Sequence, residues 1–222
     1  MAEVRSVPAS AQPWRCDPYA EALLSGRGPL FLRRTDGWLL PLEVERWCAD
    51  PDDADATVLD RCEGAVLDVG CGPGRMVAGL VARGRRALGV DVHPVAVTRT
   101  ADAGGTAVCR SVFEPLPDEG RWDTALLVDG NIGIGGAPGA LLTRMLELVR
   151  PGGLLLVEAA REDVDERVAV QVSDAHDRRG GAFPWARLGL PALLRRAEAS
   201  GWSPAATWHS HGRRFAALRA PG

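Results

Sequence analysis

Residues 66–75, VLDVGCGPGR, constrain the fold of this chain more than any other part of the sequence. An apolar run ends in an aspartate, glycines follow at alternating positions, and a helical apolar pattern begins directly afterwards. Glycines permit a tight turn and close backbone approach to a ligand, and the following helix presents free N–H groups. The segment therefore predicts a strand, a ligand-binding turn and a helix, as in nucleotide-binding α/β folds.

Strand and helix patterns alternate from residue 65 onwards. Short apolar runs predict five strands, at residues 65–70, 86–92, 106–112, 123–130 and 154–160. Helical patterns occupy residues 75–84, 94–105, 139–153 and 190–202, and residues 204–220 could pair as a hairpin turning at His211 and Gly212. We therefore expect an α/β, Rossmann-like, doubly wound sheet of seven strands, mostly parallel, with a C-terminal antiparallel hairpin and helices on both faces.

Two segments lie outside this alternation. Residues 1–60 show short helical patterns at 17–26, 41–50 and 51–62, with capping signals such as Asp17 and Pro18. We expect an N-terminal helical appendage over residues 1–60 and the main domain over residues 61–222. The charged segment at 161–189 lacks a clear period, and is expected to be a lid or a partly ordered insertion.

Composition indicates a folded protein in a reducing compartment. The 222 residues are 46% hydrophobic and 25% charged, which suits one domain with a small appendage. The apolar runs are too short to span a membrane, and the first 14 residues lack the apolar core of a secretory signal. The five dispersed cysteines, including Cys16, favour reduced thiols over disulfides or a metal site. We expect a cytoplasmic monomer or homodimer without a metal.

The charge distribution argues against a nucleic-acid partner. The net charge is −3, and all 26 basic residues are arginines spread along the chain. Binding DNA or RNA normally requires a basic face, which this distribution does not provide. Solvated helix faces and salt bridges are the expected role of the arginine pairs.

Two aspartates distinguish between the cofactors that the glycine turn can bind. Asp91 ends the second predicted strand, where a carboxylate accepts both hydroxyls of a ribose. A dinucleotide site has the spacing G-x-G-x-x-G, whereas the spacing here is G-x-G-x-G. Asp68 would repel a pyrophosphate but suits an ammonium group, which favours S-adenosylmethionine over NAD. The alternative for Asp91 is that it only caps the next helix.

Four segments resemble successive motifs of class I S-adenosylmethionine-dependent methyltransferases. They are VLDVGCGPGR (66–75), GVDVHP (89–94), FEPLPDEGRWDTALLVDG (113–130) and LLTRMLELVRPGGLLLVE (141–158). The resemblance covers residues 65–160 and implies a methyltransferase that uses S-adenosylmethionine. The blocks FPWAR and DGNIGIGG are also similar to those of small actinobacterial members.

The resemblance implies a cofactor-binding set at the ends of the first four strands. Its members are Asp68, Gly70, Cys71, Gly72, Gly74, Asp91, Val92, Ser111, Val112, Asp129 and Gly130. Asp68 and the glycines would line the methionine end, and Asp91 would hold the ribose with Val92 beside the adenine. Many members of the family have an acid at the position of Ser111, where it accepts from the adenine amino group. Cys71 is expected to be a small filler.

The end of the fourth strand is the expected position of the catalytic groups. Methyl transfer is an in-line displacement, so the enzyme mainly positions the acceptor, and a base is needed only if the acceptor must lose a proton. Asp129 is the first candidate and Asn131 the second, although Asp129 alternatively only caps the loop. The second glycine-rich segment, 129–139, lacks a ribose-binding acid after it and is expected to run under the acceptor.

Other residues are weaker candidates on the acceptor side. They are Tyr19, Trp185, Arg187, Trp208 and His209. Phe113 is expected to stack on the cofactor or simply to pack. Arg75 is expected at the surface or in a salt bridge, with an acceptor carboxylate as the alternative partner.

The sequence therefore predicts transfer of a methyl group to an oxygen or nitrogen atom of a small molecule. Three alternatives stay open at this point. They are a nicotinamide-dependent oxidoreductase, a cofactor-binding module without catalysis, and a nucleic-acid methyltransferase. The last of these often has an Asn-Pro-Pro-Tyr block after strand four, which this chain lacks.

Overall fold

A computed structural model of the chain describes residues 17–222. The predictions about a secretory signal and about Cys16 lie outside these residues. Within the described part, the strands form one sheet of seven and one sheet of four. None of the helices described is both long enough and apolar enough to span a membrane.

The elements follow one another in an order that alternates strands and helices from β3 onwards. In chain order they are α1 (Asp17–Ser25), β1 (Leu30–Arg34), β2 (Leu39–Leu42), α2 (Val44–Trp47), α3 (Asp53–Leu59), β3 (Val66–Val69), α4 (Arg75–Ala82), β4 (Ala87–Asp91), α5 (Pro94–Asp102), β5 (Ala107–Cys109), β6 (Trp122–Leu127), a 3-10 segment (Asn131–Gly136), α6 (Pro138–Leu148), β7 (Val149–Ala159), β8 (Asp165–Asp174), β9 (Phe183–Leu188), α7 (Leu190–Ala199), β10 (Ser203–Ser210) and β11 (Arg213–Arg219).

The seven-stranded sheet confirms the predicted fold class. Its strand order is β10-β11-β7-β6-β3-β4-β5, and the five strands from β7 to β5 are parallel. The hairpin of β10 and β11 adds two antiparallel strands at the edge beside β7. The order reverses between β3 and β6, and ligands of open α/β sheets bind at such a switch point.

Alternating side chains of the central strands pack on opposite faces of this sheet. On β6, Ala125 and Leu127 join the cluster formed with α6 and α7, whereas Leu126 joins the cluster formed with α3 and α4. Successive side chains of a strand point to opposite faces, so near-continuous apolar runs bury both sides. Helices therefore cover both faces of the sheet.

The four-stranded sheet corrects two expectations. Its order is β2-β1-β8-β9, all antiparallel, and we call these four strands the cap sheet. The purely helical character predicted for residues 1–60 is wrong, because residues 30–34 and 39–42 form β1 and β2. The segment at 161–189 is not a partly ordered insertion, since it contributes β8 and β9 to the cap sheet.

The N-terminal segment packs closely on the main domain. Val58 and Leu59 of α3 are fully buried in the same cluster as Met76 and Leu80 of α4. The predicted helix over 41–50 is shortened to α2, because residues before it pair with β1 as an edge strand. Pro41 is compatible with β2 because an edge strand has one side without ladder hydrogen bonds.

The second glycine-rich segment is packed against the cap sheet. A Cβ atom placed on Gly133 would overlap the Ala186 carbonyl oxygen and lie 2.5 Å from Cε2 of Trp185. A Cβ atom on Gly136 would lie 2.5 Å from that of Pro184. The glycines of the 3-10 segment thus allow β9 to approach its backbone, which attaches the cap sheet to the end of β6.

We expect Gly133→Ala to destabilise the protein by about 1–3 kcal/mol, the usual cost of overpacking a filled space. Gly139→Ala is the matched control, because Gly139 lies in the first turn of α6 with no atom within 4 Å of its added Cβ. Alanine should be neutral or slightly stabilising there. Urea unfolding of both variants measures the difference, and equal free energies of unfolding would contradict this packing.

Candidate active site

A cavity of about 350 Å³ lies between the carboxyl ends of the parallel strands and the cap sheet. It brings together most residues that the sequence predicts for the site. Among them are Asp68, Gly70, Cys71, Gly72, Asp91, Val92, Ser111, Val112, Asp129 and Asn131. The predicted residues Gly74 and Gly130 do not line it.

The glycine turn between β3 and α4 has the backbone that the sequence predicts. The φ angles of Gly70, Gly72 and Gly74 are positive, at 74°, 53° and 93°. Residues other than glycine rarely adopt such angles. Gly74 is the N-cap of α4 and packs against Thr100 of α5, so its role is to position the helix. Cys71 is buried, and burial raises the pKa of its thiol well above the usual value, which suits a filler rather than a nucleophile.

Asp91 joins the end of β4 to the glycine turn. Its Oδ2 accepts the backbone N–H of Gly72 at 2.9 Å, and its Oδ1 accepts that of His93 at 2.8 Å. Burial raises its pKa to about 6, although these backbone hydrogen bonds oppose the shift. The alternative capping role is only partly seen, since the N-cap of α5 is His93.

Asp68 is the most isolated carboxyl group of the cavity wall. It is 1% exposed, and its Oδ1 has no hydrogen-bond partner among the described residues. Burial, together with the nearby carboxylates of Asp129 and Asp91, raises its pKa to about 8. Near neutral pH this group therefore holds a proton, and a cation beside it would favour the ionised form.

Asp129 lies at the centre of a buried ion network. Its carboxylate contacts three arginines: Arg75 Nη2 at 2.5 Å, Arg46 Nη1 at 2.7 Å and Arg213 Nη2 at 3.3 Å. Burial opposes ionisation, but these guanidinium groups outweigh it and hold the pKa of Asp129 below its usual value. Its backbone has a φ of 57° and donates to Glu158 Oε2 at 2.8 Å. The carboxylate is therefore ionised and a weak base.

The same network extends to α3 through Asp55. Arg75 also pairs with Asp55 of α3, whose side chain is fully buried. Arg213 bridges Asp55 at 2.8 Å and Glu158 at 2.8 Å. The expectation of a salt bridge for Arg75 is therefore met, while the expectation of a surface position is not, since the residue is 5% exposed.

Asn131 fastens the end of β6 to the glycine turn. Its Nδ2 donates to the carbonyl oxygens of Val69 and Gly70, both at 2.9 Å. A Cβ atom on Gly70 would lie 2.6 Å from this nitrogen, so the close approach requires glycine. The amide thus holds two loops in place, and its two N–H donors are both used on the protein backbone.

The acceptor-side candidates divide into two groups. Tyr19 and Trp185 line the cavity, and Phe113 lies at its edge with 46% of its surface exposed. The other three do not line it. Arg187 pairs with Glu162 and Glu166, Trp208 stacks on Phe215 at 5.2 Å, and His209 is exposed.

Sequence reasoning missed the long-range members of the site. Arg46, Glu158 and Arg213 reach Asp129 from α2, β7 and β11, and nothing in their local sequence distinguishes them from other charged residues. Trp47 and Phe183 of the cavity wall were missed as well. No group of described residues has the clustering of histidine, cysteine and carboxylate side chains that could hold a metal ion.

Solved structures of two methyltransferases have the same fold as this chain. A S-adenosylmethionine-dependent methyltransferase from Bacteroides fragilis, in complex with S-adenosylhomocysteine, is 19% identical with a TM-score of 0.79 over 97% of this chain and 98% of that one. The 1,6-didemethyltoxoflavin-N1-methyltransferase from Burkholderia thailandensis, with 1,6-didemethyltoxoflavin and S-adenosylhomocysteine bound, is 21% identical with a TM-score of 0.66, over 100% and 93% of the two chains. The fold is thus that of class I S-adenosylmethionine-dependent methyltransferases.

More distant structures share the same core. A sugar N-methyltransferase from Streptoalloteichus is 16% identical with a TM-score of 0.57, over 79% of this chain and 88% of that one. A comparison with curated protein sequences gave no significant match.

A family match identifies the domain itself. Residues 66–153 match the family described as a methyltransferase domain. This range begins with β3, contains the glycine turn, Asp91 and Asp129, and ends within β7. Residues 66–153 are thus similar to a methyltransferase domain, and the resemblance predicted from the motifs of the sequence is confirmed.

We expect Asp129→Asn to lower the free energy of unfolding by about 3–5 kcal/mol, because it leaves buried guanidinium groups without their counter-charge. Asp165→Asn is the matched control. It removes the bidentate partner of Arg196, but both side chains are about one-third exposed, so the loss should not exceed about 1 kcal/mol. Urea unfolding at one pH compares them, and similar losses would contradict the network's importance.

A second prediction concerns pH. The folded protein keeps a proton on Asp68 up to about pH 8, whereas the unfolded chain releases it near pH 4. This group therefore stabilises the fold at low pH, and its contribution is lost as pH rises towards 8, by about 1.4 kcal/mol per pH unit. Asn resembles the protonated form. Between pH 5.5 and 7.5, Asp68→Asn should therefore gain stability relative to the wild type in urea unfolding. If the free energies of unfolding of Asp68→Asn and the wild type differ by the same amount at both pH values, the raised pKa of Asp68 is contradicted.

Proposed function

We propose that this methyltransferase uses S-adenosylmethionine to methylate an oxygen or nitrogen atom of a small molecule. The observation that carries the proposal is Asp68, a buried carboxyl group without a hydrogen-bond partner on Oδ1, beside the glycine turn of the methyltransferase domain. An ammonium group supplies the missing partner and favours the ionised form of Asp68, whereas the pyrophosphate of NAD would add negative charge beside Asp68, Asp91 and Asp129. This argument favours the sulfonium cofactor over the nicotinamide alternative.

The residues around Asp68 fit the rest of the cofactor. Asp91 uses one lone pair of each carboxylate oxygen on a backbone N–H, so each oxygen keeps acceptor capacity for a ribose hydroxyl. Val92, Ser111 and Val112 line the cavity beyond it, where they would contact the adenine. We therefore propose that the predicted cofactor-binding residues hold S-adenosylmethionine. Gly74 and Gly130 contribute only through the backbone geometry of their turns. When bound, the cofactor supplies an electrophilic methyl group.

The protein's own contribution is positioning. Asn131 fixes the glycine turn relative to the end of β6, and residues of the cap sheet form part of the cavity wall. Aligning two reactants in this way accounts for a large part of the rate enhancement in such displacements. We propose Asp129 as a positioning carboxylate, because the arginines that lower its pKa make it a poor proton acceptor.

The cavity wall also limits the acceptor's chemistry. Among the described residues that line it, there is no histidine or lysine. A general base must lie within hydrogen-bond reach of the proton that it removes. We therefore propose an acceptor atom with a free lone pair, or a hydroxyl or N–H group that ionises readily in water.

A small-molecule acceptor suits the dimensions of the site. The cavity volume is about 350 Å³, and residues of β2 and β9 of the cap sheet form part of its wall. Two structural neighbours are named as methyltransferases of small molecules, a didemethyltoxoflavin and a sugar. These similarities support the proposed substrate class, against a nucleic-acid substrate.

Calorimetry tests the cofactor assignment. S-adenosylhomocysteine should bind and NAD should not. Titrations at pH 7 in buffers of different ionisation enthalpy should show release of close to one proton on binding, because the ammonium group favours ionised Asp68. Asp68→Asn should bind more weakly and release no proton. Failure of S-adenosylhomocysteine to bind the folded wild type would overturn the proposal.

Methyl transfer itself is tested with labelled donor. Protein, tritiated S-adenosylmethionine and an extract of the source organism are incubated, and the extract is divided into low-molecular-weight, protein and nucleic-acid fractions. We expect label in the low-molecular-weight fraction only. Label in the nucleic-acid fraction would favour that alternative, and cofactor binding without transfer to any fraction would favour the non-catalytic module.

A further inference from the structure

One wall of the cavity contains none of the residues proposed to bind the cofactor. We call it the cap face, and it is formed by Tyr19, Leu42, Trp47, Ile134, Phe183 and Trp185. Four of these six residues are aromatic and two are aliphatic. They come from α1, β2, α2, the 3-10 segment and β9.

The cap face is preformed rather than collapsible. Tyr19, Phe183 and Trp185 are only 6–7% exposed, and they belong to the hydrophobic cluster between α1 and the cap sheet. The rings of Phe183 and Trp185 meet edge to face, with centroids 6.1 Å apart and an interplanar angle of 87°. Gly133 packs directly against Trp185 and restrains it further. Ring walls fixed in this way keep their shape when a ligand binds, which favours a flat ligand that fits against them.

Charge is confined to the other walls of the cavity. The charged lining residues are Asp68, Asp91, Asp129, Arg75 and Arg110. Arg75 and Asp129 are paired with each other, and Arg110 donates to the carbonyl oxygen of Pro115. The cap face has no charged side chain, so an ionic acceptor placed against it would lose its hydration without gaining a counter-charge.

Size limits the acceptor as well. The cavity volume of about 350 Å³ is close to the lower end of the roughly 300–1,000 Å³ that ligand pockets occupy. The methyl donor takes up the part beside the glycine turn. The acceptor has only the rest of the cavity and its open side, which favours a small molecule over an oligosaccharide or a peptide.

We infer that the methyl acceptor is a small, uncharged, planar molecule with fused aromatic or heteroaromatic rings, held against the cap face. This inference rests on the proposed function, because it concerns the acceptor half of the same site. Trp185 is the residue that determines this specificity, since its ring is the most firmly restrained part of the cap face.

Binding of matched probes to the protein saturated with S-adenosylhomocysteine tests the inference. Isocarbostyril is uncharged with two fused rings, quinaldate has a ring system of the same size with a carboxylate, and methyl glucoside is uncharged but not planar. Calorimetry should show isocarbostyril binding at least ten-fold more tightly than the other two. Equal or tighter binding of quinaldate or methyl glucoside, or no binding of isocarbostyril, overturns the inference.

Two matched variants locate the probe. Trp185→Leu should weaken isocarbostyril binding at least five-fold and leave S-adenosylhomocysteine binding within about three-fold. Trp208→Leu is the control, because Trp208 lies on β10 outside the cavity and should leave both affinities unchanged. Phe183→Leu replaces the first variant if that one does not fold. If the cap-face variant binds isocarbostyril as tightly as the wild type does, the inference is contradicted. If the wild type itself does not bind S-adenosylhomocysteine, the proposed function is contradicted instead.

Discussion

The buried ion network around Asp129 is the interaction on which the rest of the site depends. It joins α2, α3, α4, β7, β11 and the end of β6 through three arginines and three largely buried carboxylates. Buried ions are costly unless every charge is paired, so removal of one partner leaves the others uncompensated. The network therefore specifies how the N-terminal segment, the central strands and the C-terminal hairpin meet, and two of its members, Arg75 and Asp129, line the cavity.

Two glycine-rich turns serve different purposes in this arrangement. The turn after β3 uses positive φ angles to open a concave backbone surface next to Asp68 and Asp91. The turn after β6 uses its lack of side chains to let another sheet come close. Asn131 links the two turns by hydrogen bonds, so the position of the cap sheet is coupled through one amide to the glycine turn that lines the cavity.

The local part of the fold could be predicted from the sequence, and the non-local part could not. The parallel strands, their helices and the final hairpin follow from short-range periodicity and glycine turns, as does the proximity of Asp68 to Asp91. The cap sheet was missed although Val168, Val170 and Val172 alternate along β8 in the pattern of a half-buried strand. Its pairing with β1 joins distant parts of the chain and has no local signal. The ion pairs of Arg46, Glu158 and Arg213 could not be predicted, because ion pairs between residues far apart in the sequence have no local signal.

The pairing of β1 with β8 has a consequence for synthesis of the chain. Leu30 pairs with Asp174, so more than half of the sequence separates two adjacent strands of the cap sheet. While the ribosome is producing the methyltransferase domain, the hairpin of β1 and β2 has no third strand to pair with. A two-stranded hairpin is only marginally stable in water. The parallel core therefore has the opportunity to form first, and the cap is completed over it only after β8 and β9 have emerged.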